Sequence, residues 1–146
     1  MQVFDVNTKS LLKESKHKFR HAKSLSVVST GSGETVYVGC STGLFMIDAE
    51  LEEVTNLTEN FKAKCIQFDG SSRLAVLGKS KQDGKWYLYE YSVEDTLLLS
   101  KRAIPAKFVK ERKWGCFWGC LSVYQDYWVV TMPVGLLVDA NLIYHL

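Results

Sequence analysis

The chain has 146 residues, of which 47% are hydrophobic and 12% aromatic, a composition that indicates a folded globular protein and excludes a disordered tail. Its 18 basic and 16 acidic residues give a formal net charge of +2, which is too small to draw the protein toward nucleic acid or acidic membranes over a distance. There is no run of about eighteen apolar residues such as a membrane helix needs, no apolar block of a signal peptide, and only four cysteines. We therefore expect a cytoplasmic protein without a transmembrane segment.

Residues 1–14 predict two short strands. Their pattern matches only the last two strands of a unit that recurs later, over residues 44–56. Helical periodicity is weak over 8–18, and its lysine content favours a solvated connection over a helix. We therefore expect the chain to begin halfway through one unit.

Three segments repeat one hairpin pattern. Each is an apolar strand, a turn that closes on glycine, and a second apolar strand that ends in an acidic or aromatic residue. Glycine suits such turns because it reaches positive φ without steric cost. The three segments are residues 34–48, 72–91 and 125–139, with turn glycines Gly43, Gly84 and Gly135.

Further strand candidates flank these hairpins. Residues 24–29, 63–68 and 119–124 precede them, and residues 51–57 and 96–103 follow the first two. Four short strands recurring about every 40 residues are typical of β-propeller blades. The spacing between the second and third hairpins is longer because a basic segment, residues 104–115, is inserted as a loop.

The predicted fold is all-β, with antiparallel four-stranded blades of a partial β-propeller. We expect one domain over 1–146, with two full blades at 24–57 and 63–103 and partial blades at 1–14 and 118–146. Closed propellers have about four to eight blades, so we expect a fragment of a larger propeller or a truncated product. A small β-sandwich of about eleven strands is the alternative.

A family resemblance lies in the hairpins. The sequence VYVGCSTGLFMID over 36–48 resembles a segment of citron-homology (CNH) domains, in which a Val-Gly-Thr sequence is followed by Gly-Leu, three apolar residues and Asp. Residues 61–78 and 78–91 resemble the strands that follow, and residues 120–137 are similar to a later blade. Cys40 stands where the family usually has Thr, and residues 131–134 replace a more polar turn. WD-repeat propellers share much of this pattern, although no Trp-Asp dipeptide ends a strand here.

The CNH resemblance implies a non-catalytic protein-interaction and regulatory module. Such domains act in small-GTPase signalling, cytoskeletal organisation and vesicle tethering, so the implied partner is a protein, such as a small GTPase, and not a small-molecule substrate. The alternative is a WD-repeat-like scaffold subunit of an RNA- or chromatin-associated complex that uses the basic strip 101–113. A solvated loop is the simpler interpretation of that strip, which argues against a nucleic-acid partner.

No catalytic, cofactor-binding or metal-binding residue is predicted. Cys116 and Cys120 form a C-x3-C pair, but zinc needs further ligands and no second cysteine pair exists. The glycine-rich residues 30–34 lack the Lys-Ser/Thr and the helix of a phosphate-binding loop. No nucleophile lies on a G-x-S-x-G turn, so we do not expect an enzyme.

The segment 110–118 is the predicted partner-binding site. It combines cations with an unusual density of aromatic residues for a loop, and exposed aromatic side chains anchor many protein interfaces. Packing of these aromatic side chains between blades is the competing interpretation. The candidate anchors are Trp114, Phe117, Trp118, Lys110, Arg112 and Lys113.

Overall fold

A computed structural model describes residues 1–31, 33–106, 109, 120–125, 127–134 and 138–145. Thirteen strands in four antiparallel sheets make up the regular structure of these residues. The prediction of an all-β fold is therefore confirmed.

Each sheet joins strands in chain order as a meander, the topology of a propeller blade. The first sheet has two strands, β1 (Gln2–Phe4) and β2 (Leu11–Glu14). The other three, in the described residues, have four, four and three strands. The second sheet consists of β3 (Ala22–Thr30), β4 (Gly33–Cys40), β5 (Leu44–Asp48) and β6 (Val54–Thr58). The third consists of β7 (Phe61–Phe68), β8 (Arg73–Ser80), β9 (Trp86–Ser92) and β10 (Leu98–Ala103), and the fourth of β11 (Cys120–Tyr124), β12 (Tyr127–Val134) and β13 (Val138–His145).

The third sheet is buried on both faces. Side chains of a strand alternate between faces, so Leu74 and Val76 of β8 join one apolar cluster while Ala75 and Leu77 join another. The first cluster contains residues of the second sheet, such as Tyr37, and the second contains residues of the fourth sheet. The third sheet therefore lies between the second and fourth sheets.

The second sheet also packs on two sides. Tyr37 faces the third sheet, whereas Val36, Val38 and Ile47 join a separate cluster to which Met1 and Phe19 contribute. One apolar cluster thus lies between the second and third sheets, one between the third and fourth, and one on the outer face of the second sheet, where Met1 and Phe19 cover it. Within the described residues the sheets form an open stack and do not close into a ring.

The second and third sheets approach closely at Gly39. A Cβ atom on this residue would lie 2.9 Å from the Cβ of Ala63 and 3.1 Å from Cδ1 of Ile66. Beside this contact, the backbone N–H of Ile66 donates a hydrogen bond of 3.1 Å to the hydroxyl of Ser24 in β3. Only glycine lets strands β4 and β7 come this near to each other, which explains the Val-Gly sequence at this point.

Candidate interaction surface

The second sheet carries an apolar face that is only half covered. Leu25 and Val27 of β3 pair with Val38 and Val36 of β4, and directly opposed side chains share a face. Val36 and Val38 are buried, yet Leu25 is 57% exposed and Val27 50% exposed. The N-terminal segment therefore covers β4 and leaves β3 open.

A cleft lies beside this open face, with a volume of about 960 Å³. We call it the N-terminal cleft and define it by its lining, which is Met1, residues 14–19, residues 22–25 and Val38. Its apolar side chains include Phe19, Leu25 and Val38, and its basic side chains are Lys16, His17, Lys18 and Lys23. The cleft thus combines an apolar floor with a basic rim.

Local contacts fix the segment that forms this rim. The buried Ser15 donates its backbone N–H to the carbonyl of Met1 at 2.9 Å, and its hydroxyl accepts from the N–H of His17 at 3.2 Å. The ring of His17 packs on Phe19, with ring centroids 4.7 Å apart, and Phe19 packs in turn on Phe45 of β5 at 5.8 Å. The rim is therefore held against the second sheet.

The lysines near the cleft differ in their partners. The ammonium of Lys13 lies 2.7 Å from the carboxylate of Glu50 and donates to the carbonyl of Ala49 at 3.1 Å. For Lys16, Lys18 and Lys23, no ion pair with another described residue is present, and all three are exposed. These three cations define the charge of the rim.

A second polar constellation joins the third and fourth sheets at Glu90, which is 2% exposed. One carboxylate oxygen accepts hydrogen bonds from the indole N–H of Trp128 at 3.1 Å and from Arg73 at 3.3 Å. The other accepts from the hydroxyl of Ser100 at 2.5 Å and lies 3.5 Å from the guanidinium of Arg102. Burial raises the pKa of Glu90, but the hydrogen bonds from Ser100 and Trp128 and the two arginines outweigh it, so the pKa lies below its ordinary value. A buried carboxylate that stays ionised and fully hydrogen-bonded holds sheets together and is unsuited to proton transfer.

Glu90 makes the stability of the protein depend on pH. Because its pKa is lower in the folded chain than the ordinary 4.5, its ionised form stabilises the fold above that value, and this stabilisation is lost as pH falls through the folded pKa. We expect the difference in unfolding free energy between the wild type and Glu90→Gln to shrink from about pH 6 to about pH 3 in urea titrations. Other carboxyl groups with lowered pKa values, such as Asp69 and Asp83, are present in both proteins and cancel in the comparison. A difference that stays constant over this range would contradict the assignment.

The predicted anchors lie outside the described residues. This applies to Lys110, Arg112, Lys113, Trp114, Phe117 and Trp118, and their role in partner binding stays a prediction. The first two cations of the strip 101–113 are described and have contacts within the fold. The ammonium of Lys101 lies 4.1 Å from the ring centroid of Tyr87, and Arg102 faces Glu90. Both side chains make contacts that stabilise the third sheet. These contacts favour a structural role for Lys101 and Arg102 over nucleic-acid binding.

Sequence reasoning did not identify the N-terminal cleft. The eight residues from Lys16 to Lys23 include four lysine or arginine residues and two histidines, a cluster of basic residues that is visible in the sequence. A charged run by itself is usually a solvated surface, however, and nothing local places it beside Leu25 and Val38. Only the packing of this segment on the second sheet brings its cations next to the apolar side chains of Leu25 and Val38.

Within the described part of the chain, no three or more His, Cys, Asp or Glu side chains are grouped so as to hold a metal ion. Cys116 lies outside those residues, and burial raises the pKa of the Cys40 thiol. None of the described residues forms a helix that is long and apolar enough to cross a membrane.

Comparison of the chain with protein-family models, with curated proteins and with solved structures finds no match. The similarity of the hairpins to CNH domains and to WD-repeat propellers therefore stays a prediction from the sequence.

Proposed function

We propose that the chain is a non-catalytic protein-interaction and regulatory module of CNH-like type. In this proposal it acts in the cytoplasm, in small-GTPase signalling, cytoskeletal organisation or vesicle tethering. The observation that carries the proposal is the half-covered face of the second sheet, where Leu25 and Val27 stay exposed beside a concave surface. Apolar side chains grouped at a concave, polar-rimmed surface are a common feature of binding sites.

The way the sheets are joined suits such a role. The apolar cluster around Tyr37 and Leu74 fixes the second sheet to the third, and Glu90 with Trp128 fixes the third to the fourth. Surfaces on different sheets therefore keep their relative positions. A partner that binds a rigid surface loses less free energy to ordering, so binding by shape without any chemical step is the mechanism we propose.

Binding to small GTPases tests the proposal. We expect the purified chain to bind at least one member of a panel of small GTPases in one nucleotide state, GDP or a GTP analogue, in biolayer interferometry. If the predicted anchors contact the partner, the double variant Trp114→Ala, Trp118→Ala should weaken binding at least about tenfold, as aromatic anchors do. Tyr124→Ala, which removes a 64% exposed aromatic side chain from β11, is the matched control and should leave affinity unchanged. Absence of binding to every GTPase in both states would overturn the GTPase part, and unchanged binding by the double variant would remove the anchors.

A further inference from the structure

We propose that the N-terminal cleft binds an extended polypeptide segment in which apolar and acidic residues alternate. The inference rests on the proposed function of the chain as an interaction module and specifies the chemistry of one partner. Three features of the cleft support it, namely the spacing of its apolar side chains, the sign of its charge and its concave shape.

The spacing of the apolar side chains on β3 favours a bound peptide in an extended conformation. Leu25 and Val27 lie two residues apart on one face of β3, so their side chains are about 6.6–6.8 Å apart along the strand. An extended peptide presents every second side chain at the same spacing. Its apolar side chains can therefore cover Leu25, within the cleft, and Val27, which continues the floor along β3.

The charge of the rim selects acidic residues. Lys16, Lys18 and Lys23 are exposed and line the cleft, whereas Lys13 nearby is neutralised by Glu50. The acidic side chain in the lining, Glu14, accepts a hydrogen bond of 2.9 Å from the side-chain amide of Gln2. The rim keeps a net positive charge, which attracts carboxylates and opposes basic peptides.

The shape of the cleft favours a peptide over a membrane. Its floor lies on the second sheet, and the segment 14–19 borders it. A flat lipid surface would contact the lysines of the rim, whereas a chain that enters the cleft can also follow its concave floor. A single extended chain fits the volume of about 960 Å³ and can contact rim and floor together.

The test uses a fluorescein-labelled nine-residue peptide of alternating Val and Glu, with binding to the full chain measured by fluorescence anisotropy. We expect saturable binding that weakens as salt is raised, because exposed charges are screened. Replacing Glu by Lys, or Val by Ser, in the peptide should abolish binding. The charge-reversing variant Lys16→Glu, Lys18→Glu, Lys23→Glu should weaken it at least about tenfold, the summed effect of several surface ion pairs.

A matched variant separates local from overall charge. Lys9→Glu, Lys62→Glu, Lys85→Glu reverses three exposed lysines outside the cleft and should change affinity less than about twofold. Leu25→Ser tests the floor without changing charge and should also weaken binding, with circular dichroism confirming that the variant is folded. The inference is overturned if the Val-Glu peptide does not bind, if both triple variants weaken binding equally, or if only anionic lipid vesicles bind to the three rim lysines. Because this assay contains no GTPase, such a failure leaves the proposed function standing when the GTPase panel gives binding.

Discussion

The variant Glu90→Ala is expected to lose about 3 kcal/mol of unfolding free energy, because breaking a buried ion pair leaves its remaining partners uncompensated. The indole N–H of Trp128, a residue buried completely between the third and fourth sheets, would lose its acceptor. Arg73 and Arg102 are more than a third exposed and can turn toward water, so the loss should stay at the lower end of the range known for buried pairs. Urea denaturation followed by tryptophan fluorescence gives the free energy directly.

Two further variants test whether the loss of stability in Glu90→Ala comes from the buried carboxylate. Glu90→Gln keeps the size of the side chain and one oxygen acceptor, so it should lose about half as much as the alanine variant. Glu94→Ala removes an exposed carboxylate just after β9 and should change stability by less than about 0.5 kcal/mol. A loss in Glu90→Ala no larger than that in Glu94→Ala would show that the carboxylate does not join the two sheets.

The strands could be predicted because their signals are local. Residues 74–77 of β8 are a continuous apolar run because the third sheet is buried on both faces, and Gly84 closes the hairpin that follows with a φ of 70°. Similar runs and turns predict the hairpins of the second and fourth sheets. Such features need only a few neighbouring residues, so a single sequence shows them.

The candidate sites could not be predicted in the same way, because they depend on contacts between distant residues. In the sequence, Glu90 is a single acidic residue in a tyrosine-rich strand. Nothing near it indicates that it contacts Arg73 or Trp128, which lie 17 and 38 residues away. The same holds for the cleft, where Leu25 meets the segment 14–19 only after both pack on β4. The aromatic segment 110–118, by contrast, is predicted as a partner-binding site from its composition alone, which needs no distant contact.

The turn between β4 and β5 gives the second large expected effect. In Gly43→Ala, the added Cβ would point at the end of β6, where the carbonyl oxygen of Thr58 lies only 2.0 Å from its ideal position. The backbone at Gly43 also has a φ of 154°, a conformation that residues with a side chain rarely adopt. Since the clashing atom belongs to the backbone of a paired strand, it cannot move without breaking the β5–β6 ladder. We expect a loss of about 3 kcal/mol or more in urea denaturation, the sum of backbone strain and steric displacement.

A series of glycine variants separates those two causes. Gly70→Ala places a methyl group at a φ of 89° with nothing within 4 Å, so it should show the conformational cost alone, about 1–2 kcal/mol. Gly31→Ala also meets no neighbouring atom, and no positive φ is found there, so it should be nearly neutral. If Gly43→Ala costs no more than Gly70→Ala, the turn does not press against β6. A larger cost for Gly43→Ala would show that the glycine of the Ser-Thr-Gly-Leu sequence is needed for the packing of this hairpin against β6, the outer strand of its own sheet. This sequence is part of the resemblance to CNH domains, so that part of the resemblance would reflect a requirement of the fold and not of any partner.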